Sequence, residues 1–158
     1  MKFRKSIGFD ASIDAVYAML CDPAFREEVC RASGASSYDV TVTPTDTGIE
    51  SVVETTSPVD GLPTLVKKFL GSTMTLHQVE RWVSTSAGTM QVSVPGTPGA
   101  FEGTITLLPS DSGAIQTVEA DIRVGVPLVG GKIEALIGSG LGHVLKVQAR
   151  VGADWLTR

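Results

Sequence analysis

The polar residues that could do chemistry in this chain are concentrated in one strand-like stretch. Gln78 and Glu80 alternate in phase with Leu76 and Trp82, so all four side chains are predicted to lie on the inward face of a strand. An inward carboxylate in an apolar pocket is expected to have a raised pKa, and it can act as an acid, a base or a polar anchor. The alternative, which we favour, is a bulge in the strand or a cavity mouth where Glu80 meets water or a partner such as Arg81.

The two histidines are predicted to be surface residues. His77 alternates with Leu76 and Gln78, which places it on the solvent face of the same strand. His143 precedes Val144 and lies off the apolar stripe of a C-terminal helical pattern, so it is either a surface residue, which we favour, or a polar group at a cavity edge. No carboxylates accompany the histidines at metal-ligand spacing, and we predict no metal site.

Other motifs that signal catalysis are incomplete. The Gly-Ser-Gly at 138–140 lies in a helical pattern and lacks the following glycine of a nucleophile elbow. The Gly-Gly-Lys at 130–132 lacks the remaining positions of a phosphate-binding loop. Cys21 and Cys30 have no CxxC spacing and are predicted to be packing residues. The sequence therefore predicts no catalytic residue and no cofactor.

Composition favours one globular domain over residues 1–158. The chain is 42% apolar and 19% charged, and its net charge of −4 argues against a nucleic-acid surface, which needs clustered Lys and Arg. There is no apolar segment of signal-peptide length, and no apolar run approaches the roughly 20 residues that span a bilayer. We therefore expect a cytoplasmic protein without stable membrane insertion, as either a monomer or a homodimer.

The elements predicted to position these residues are one strand, two short helices, six strands and one long helix. Ser12 is a predicted N-cap, and Asp22 followed by Pro23 repeats the signal for a second helix that stops near residues 33–34. Turn-forming residues separate the later segments, so consecutive strands are expected to be antiparallel. The later strands are predicted at 38–44, 49–56, 73–85, 89–94, 101–108 and 114–124, with a short helix or irregular cover at 64–70.

The last helix is predicted over residues 128–156. Its apolar residues recur at helical spacing, and 29 residues would span about 43 Å at roughly 1.5 Å per residue. Five glycines at 130, 131, 138, 140 and 142 contradict this pattern, because each interior glycine costs about 1 kcal/mol relative to alanine. Either they allow close packing or a kink, which we favour, or the missing side chains leave room for a ligand.

This order of elements resembles the helix-grip fold of the START-like, polyketide-cyclase and plant pathogenesis-related superfamily, and the sequence looks like an uncharacterised bacterial branch of it. The stretches that carry the resemblance are Leu62-Pro63 with Val66-Lys67-Lys68, residues 78–82 (Gln-Val-Glu-Arg-Trp), and residues 126–134. The resemblance implies an α+β fold in which a seven-stranded curved antiparallel sheet surrounds a long C-terminal helix. It also implies binding of a lipid, sterol, polyketide or hormone-like molecule between sheet and helix, although some members are cyclases, hydrolases or dehydratases.

A ligand-lining set follows from the inward phase of the strands and the apolar stripe of the last helix. Its members are Leu76, Gln78, Glu80, Trp82, Met90, Val92, Phe101, Ile105, Ile122, Leu136, Ile137 and Leu141. For any one of them, simple core packing is the alternative. The predicted function is binding of a small apolar molecule as a carrier or sensor. The alternatives are a cyclase- or hydrolase-like enzyme using the same cavity and an interaction module without a ligand.

Overall fold

The fold is α+β, with seven strands and four helices in the predicted order. A computed structural model describes residues 1–158. The elements are β1 Lys2–Phe9, α1 Ile13–Leu20, α2 Pro23–Ala32, β2 Ser37–Pro44, β3 Ile49–Pro58, α3 Thr64–Leu70, β4 Thr73–Trp82, β5 Ala87–Ser93, β6 Ala100–Ser110, β7 Gly113–Asp121 and α4 Gly130–Trp155. The prediction of a helix-grip fold is confirmed.

All seven strands belong to one curved antiparallel sheet with the order β1-β7-β6-β5-β4-β3-β2. The register places Gln78 opposite Val53 of β3 and Val92 of β5, so these side chains share the inner face. The outer face carries cross-strand polar pairs, including Arg81 Nε with Glu50 Oε2 at 2.9 Å. This alternation of apolar and charged faces is what the period-2 sequence pattern predicted.

The two short helices begin at the predicted caps. Ser12 Oγ accepts a hydrogen bond from the Ala15 amide at 3.2 Å, and Asp22 Oδ1 accepts one from the Ala24 amide at 2.9 Å. Pro23 occupies the first turn of α2, where its missing N–H leaves no intrahelical bond unmade. Ser12 thus fixes the start of α1, and Asp22 with Pro23 fixes the start of α2 and hence the direction in which its apolar face points.

Helix α4 begins two residues later than predicted and ends one residue earlier. Leu128 adopts a left-handed backbone with φ of 70°, which a helix cannot include, and its side chain is 94% exposed. A Cβ on Gly130 would lie 2.4 Å from the carbonyl oxygen of Val124, so only glycine fits at the first helical position. Over 26 residues α4 runs about 39 Å at roughly 1.5 Å per residue and packs on β1 and α2.

The glycines within α4 serve different purposes. A Cβ on Gly138 would lie 2.3 Å from the terminal methyl of Met1, whose exposed and flexible side chain can move aside, whereas a Cβ on Gly152 would lie 2.6 Å from the ring of the buried Phe9. A Cβ on Gly142 would make ordinary contact with Phe3 at 3.9 Å. Gly131 and Gly140 have nothing within 4 Å of the Cβ position. Close packing therefore requires Gly130 and Gly152, and open space lies beside Gly131 and Gly140.

Two strands are shorter than predicted because their ends turn away from the sheet. After Trp82, Ser84 Oγ accepts hydrogen bonds from the amides of Ser86 and Ala87 and closes a turn, so β4 stops short of residue 85. After β7, the Val124 amide donates to Glu134 Oε1 at 2.9 Å, which ties the connection to α4.

None of the four helices combines the length and apolar character needed to cross a bilayer.

Candidate functional site

An open cleft lies between the end of α2, the inner face of β3 and β4, and the middle of α4. Its outer part, which we call the outer cleft, has a volume of about 430 Å³ and is walled by Met74, Leu76, Leu136 and Val144, with Gly140 in its floor. A smaller space of about 80 Å³, the inner pocket, is lined by residues that include Arg26, Gln78, Leu141 and Gln148. The two spaces share the lining residues Ser33, Thr55, Leu76, Gly140 and Val144, so they adjoin.

The inner pocket ends at a buried ion pair that joins α2 to β4. Arg26 Nη1 donates to Glu80 Oε1 at 3.0 Å, and Arg26 Nη2 donates to Glu80 Oε2 at 2.7 Å. Arg26 Nε also donates to the carbonyl oxygen of Leu20 at 2.8 Å. The two charged residues are only 6% and 4% exposed. This bidentate geometry is the arrangement in which a guanidinium compensates a buried carboxylate most effectively.

Two further donors complete the surroundings of Glu80. Gln78 Nε2 donates to Oε1 at 2.8 Å, and Trp82 Nε1 donates to Oε2 at 3.1 Å. Each carboxylate oxygen therefore accepts two hydrogen bonds. Burial by itself raises the pKa of Glu80, but the charge of Arg26 and the hydrogen bonds from Arg26, Trp82 and Gln78 outweigh it, so the pKa is lowered.

Neither expectation for Glu80 is therefore met. Its pKa is lowered rather than raised, and the favoured alternative of a bulge or a water-filled cavity mouth is wrong, because β4 pairs in regular register through Glu80 and the residue is only 4% exposed. Glu80 does face inward, but its partner is Arg26, 54 residues earlier in the chain, whereas Arg81 bonds to Glu50 on the outer face. Sequence reasoning missed Arg26. A signal for it existed, because Arg26 lies on the face of α2 that also carries Phe25 and Val29, all three of which are buried.

A second polar pair also lies inside the fold and was not predicted. Gln148 Nε2 on α4 donates to Gln116 Oε1 on β7 at 2.7 Å, and both residues are at most 5% exposed. Gln148 lines the inner pocket. Ser51, opposite Glu80 in the sheet register, has a buried hydroxyl without a hydrogen-bond partner. The inner pocket therefore has polar groups at its far end beside six apolar lining residues, and the walls of the outer cleft are mainly apolar as well.

The residues of the predicted lining set fall into three groups. Leu76, Gln78, Leu136 and Leu141 line the cleft. Glu80 lies behind Gln78, to which it is hydrogen-bonded. The remaining seven residues are buried in the hydrophobic core: Trp82, Met90, Val92, Phe101, Ile105, Ile122 and Ile137. The cleft therefore borders only those residues of the predicted set that lie near α2, and the other residues contact one another in the core.

The histidines lie on opposite sides of the sheet. His77 is on the outer face, where Nδ1 is 3.3 Å from Glu54 Oε2. His143 is exposed at the rim of the outer cleft, and its Nε2 is 3.2 Å from the carbonyl oxygen of Ser33. His143 is therefore both a surface residue and a polar group at the cleft edge.

The two cysteines lie near the ion pair. Cys30 is buried and lines the inner pocket, and Cys21 is half-buried at the end of α1. Burial is the main cause that raises the pKa of each thiol above its usual value. Both thiols are therefore protonated at neutral pH and add no charge to the site.

Comparisons with known proteins agree with this architecture. The fold is START-like: a START superfamily protein from Mycobacterium smegmatis matches with a TM-score of 0.63 at 14% identity, over 95% of this chain and 96% of that one. Norcoclaurine synthase from Thalictrum flavum, solved in complex with dopamine and hydroxybenzaldehyde, matches with a TM-score of 0.62 at 13% identity, over 96% of this chain and 85% of that one.

Sequence comparison finds more closely related chains. An uncharacterised protein of Mycobacterium tuberculosis is 29% identical over 102 residues, which are 61% of this chain and 59% of that protein. The match thus covers less than two thirds of the relative. The model of a family described as proteins of unknown function, DUF2505, matches residues 5–156. Because this match includes nearly every residue of the chain, the protein belongs to the DUF2505 family.

Proposed function

We propose that residues 1–158 form a single binding domain that holds a small, largely apolar molecule, such as a lipid, sterol or polyketide, as a carrier or sensor. The observation that carries the proposal is the outer cleft. Its volume of about 430 Å³ lies within the range of roughly 300–1,000 Å³ that is usual for small-molecule sites. Leu76, Leu136 and Val144 provide apolar walls from two different elements of structure.

The glycine at position 140 supports this use of the cleft. Gly140 lies inside α4 and borders both the outer cleft and the inner pocket. An alanine there would stabilise the helix by about 1 kcal/mol and would meet nothing within 4 Å. A residue that is unfavourable for the helix and not required by packing is consistent with space that is kept for a ligand.

A fold-level likeness adds limited support. Norcoclaurine synthase, which has a similar fold, was solved with two small aromatic molecules bound. At 13% identity this likeness concerns the fold, so the proposal for this chain depends on its own cleft.

An enzyme acting through Glu80 is the weaker alternative. Both oxygens of this carboxylate are occupied by two donors each, and its pKa is lowered. A general acid at neutral pH needs a raised pKa, and a general base needs a free oxygen within reach of the substrate. An interaction module with a collapsed interior is also disfavoured, because the outer cleft is open.

The proposal can be tested by filling the cleft from its floor. We expect Gly140→Leu to place an isobutyl group in the outer cleft and to weaken binding of the neutral apolar dye Nile red at least 10-fold. Gly131→Leu is the matched control, because Gly131 is also a glycine of α4 with open space at its Cβ position but lies outside the cleft.

The readouts are dye fluorescence and native mass spectrometry of the purified protein for co-purified apolar adducts. The control should bind the dye like the wild type, and adducts should disappear only in Gly140→Leu. Equal dye affinity in all three proteins, with no adduct in any of them, would overturn the proposal.

A further inference from the structure

We infer, resting on the proposed function, that the end of the ligand that enters the inner pocket is an uncharged hydrogen-bonding group, a hydroxyl or a carbonyl. A carboxylate of the same chain length is rejected. The ligand is thus a neutral amphiphile such as an alcohol, a sterol-like alcohol or a ketone, and not a free fatty acid. The inference comes from the hydrogen-bonding capacity of the inner pocket and from its charge balance.

The inner pocket offers both donors and acceptors. Three of the five N–H groups of Arg26 are used, one by Leu20 and two by Glu80, which leaves two for a ligand. Gln78 donates one N–H to Glu80, and because a carboxylate only accepts, this bond fixes the orientation of the amide. Its second N–H and its side-chain oxygen remain, so a hydroxyl can be bound as donor and as acceptor.

The charge balance excludes an anion. Arg26 and Glu80 form a neutral pair at the end of the inner pocket, and the remaining lining residues carry no charge at neutral pH. A ligand carboxylate would be a third charge there, and the guanidinium of Arg26 that lines the pocket is already neutralised by its bidentate pair with Glu80. Its loss of hydration would therefore not be compensated, as happens for any unpaired charge taken into a protein interior.

The size of the two spaces orients the ligand. The inner pocket, at about 80 Å³, has room for a few water molecules or one functional group but not for a hydrocarbon chain or ring system. The outer cleft is about five times larger and is walled by Met74, Leu76 and Leu136. The polar end consequently enters first, and the apolar part remains in the outer cleft.

Ligands of one chain length test the inference. Dissociation constants of 1-decanol, 2-decanone and decanoate are measured by displacement of Nile red at about pH 8, where a carboxyl group is ionised. We expect the alcohol and the ketone to displace the dye, and decanoate to bind about 100-fold more weakly than the alcohol. Decanoate binding as tightly as decanol overturns the inference while leaving the proposed function intact. Failure of all three ligands and of the dye itself overturns both.

A variant then tests the assigned contact. Gln78→Leu should weaken 1-decanol about 10-fold and leave 1-chlorodecane, which lacks the hydroxyl, within 2-fold of its wild-type affinity. Gln91→Leu is the control, since Gln91 lies on the outer face of the neighbouring strand. Unchanged thermal unfolding confirms that each variant is folded, and if Gln78→Leu unfolds, Gln148→Met is used in the same comparison. Equal losses for the two ligands would remove the assigned contact.

Discussion

The most informative perturbation of the ion pair is Arg26→Met. The methionine fills much of the same space but removes three hydrogen bonds, two to Glu80 and one to the Leu20 carbonyl oxygen. It also removes the only charge that compensates Glu80, which is 4% exposed. Breaking a buried ion pair in this way costs about 3–5 kcal/mol. Since a domain of this size unfolds with roughly 5–15 kcal/mol, we expect a variant that is folded but markedly less stable.

The pH dependence of this loss identifies its cause. In the wild type the pKa of Glu80 is below its ordinary value of 4.5, so the contribution of the pair is fully present above that value and is lost as the pH falls through the lowered pKa. In Arg26→Met burial is opposed only by the hydrogen bonds from Trp82 and Gln78, so we expect the pKa of Glu80 to rise above its wild-type value. The destabilisation should therefore be largest at neutral pH and should shrink as the pH approaches 5, because protonation removes the unpaired charge.

Urea unfolding at pH 7 and pH 5 measures both effects. Arg81→Met is the matched control, because its partner Glu50 is on the solvent-facing side of the sheet, where such pairs contribute about 0–1 kcal/mol. The double variant Arg26→Met/Glu80→Leu should be more stable than Arg26→Met alone, since it no longer buries a charge. A loss below about 1 kcal/mol, or additive losses in the double variant, would refute this reasoning.

Three further predictions concern other positions in the fold. Gly130→Ala should lower the free energy of unfolding by more than about 2 kcal/mol because the new Cβ meets a backbone oxygen, whereas Gly131→Ala should raise it by about 0.5–1 kcal/mol. Thermal unfolding of the two variants compares these effects, and equal changes in stability would contradict the packing argument. Cys30 is buried and has a raised thiol pKa, so it should react with an aromatic disulfide reagent more slowly than Cys21, and bound decanol should slow the reaction of Cys30 further. Mass mapping of the labelled protein measures the labelling of each cysteine, and faster labelling of Cys30 than of Cys21 would contradict the prediction. Ser51→Ala should leave stability unchanged or raise it by about 1 kcal/mol, because the hydroxyl is buried without a partner; a clear loss in urea unfolding would show that the hydroxyl has a partner after all.

The fold was predictable because its signals are local. Alternation along the strands, the caps at Ser12 and Asp22, and the apolar period of the last helix each depend on residues within a few positions of one another. The start of the last helix was placed wrongly because it depends on a contact between different parts of the fold. Gly130 is required by the carbonyl of Val124, which belongs to the segment leaving the sheet, and no local pattern contains that approach.

The site was predictable only in part, for the same reason. Strand phase correctly placed Glu80 on the inner face, but it could not supply Arg26, which reaches the carboxylate from another element 54 residues away. The alternation of side chains along a strand also cannot distinguish inward residues that border empty space from inward residues that contact other side chains. Leu76 and Ile105 both face inward, yet Leu76 lines the cleft and Ile105 is buried in the core.

The central claim is that the space beside Gly140 holds the ligand. Its most direct test is the dissociation constant of 1-decanol for three proteins: the wild type, Gly140→Leu and Gly131→Leu. We expect Gly140→Leu to bind at least 10-fold more weakly than the wild type and Gly131→Leu to bind with unchanged affinity. Unaltered binding by a folded Gly140→Leu protein would contradict it.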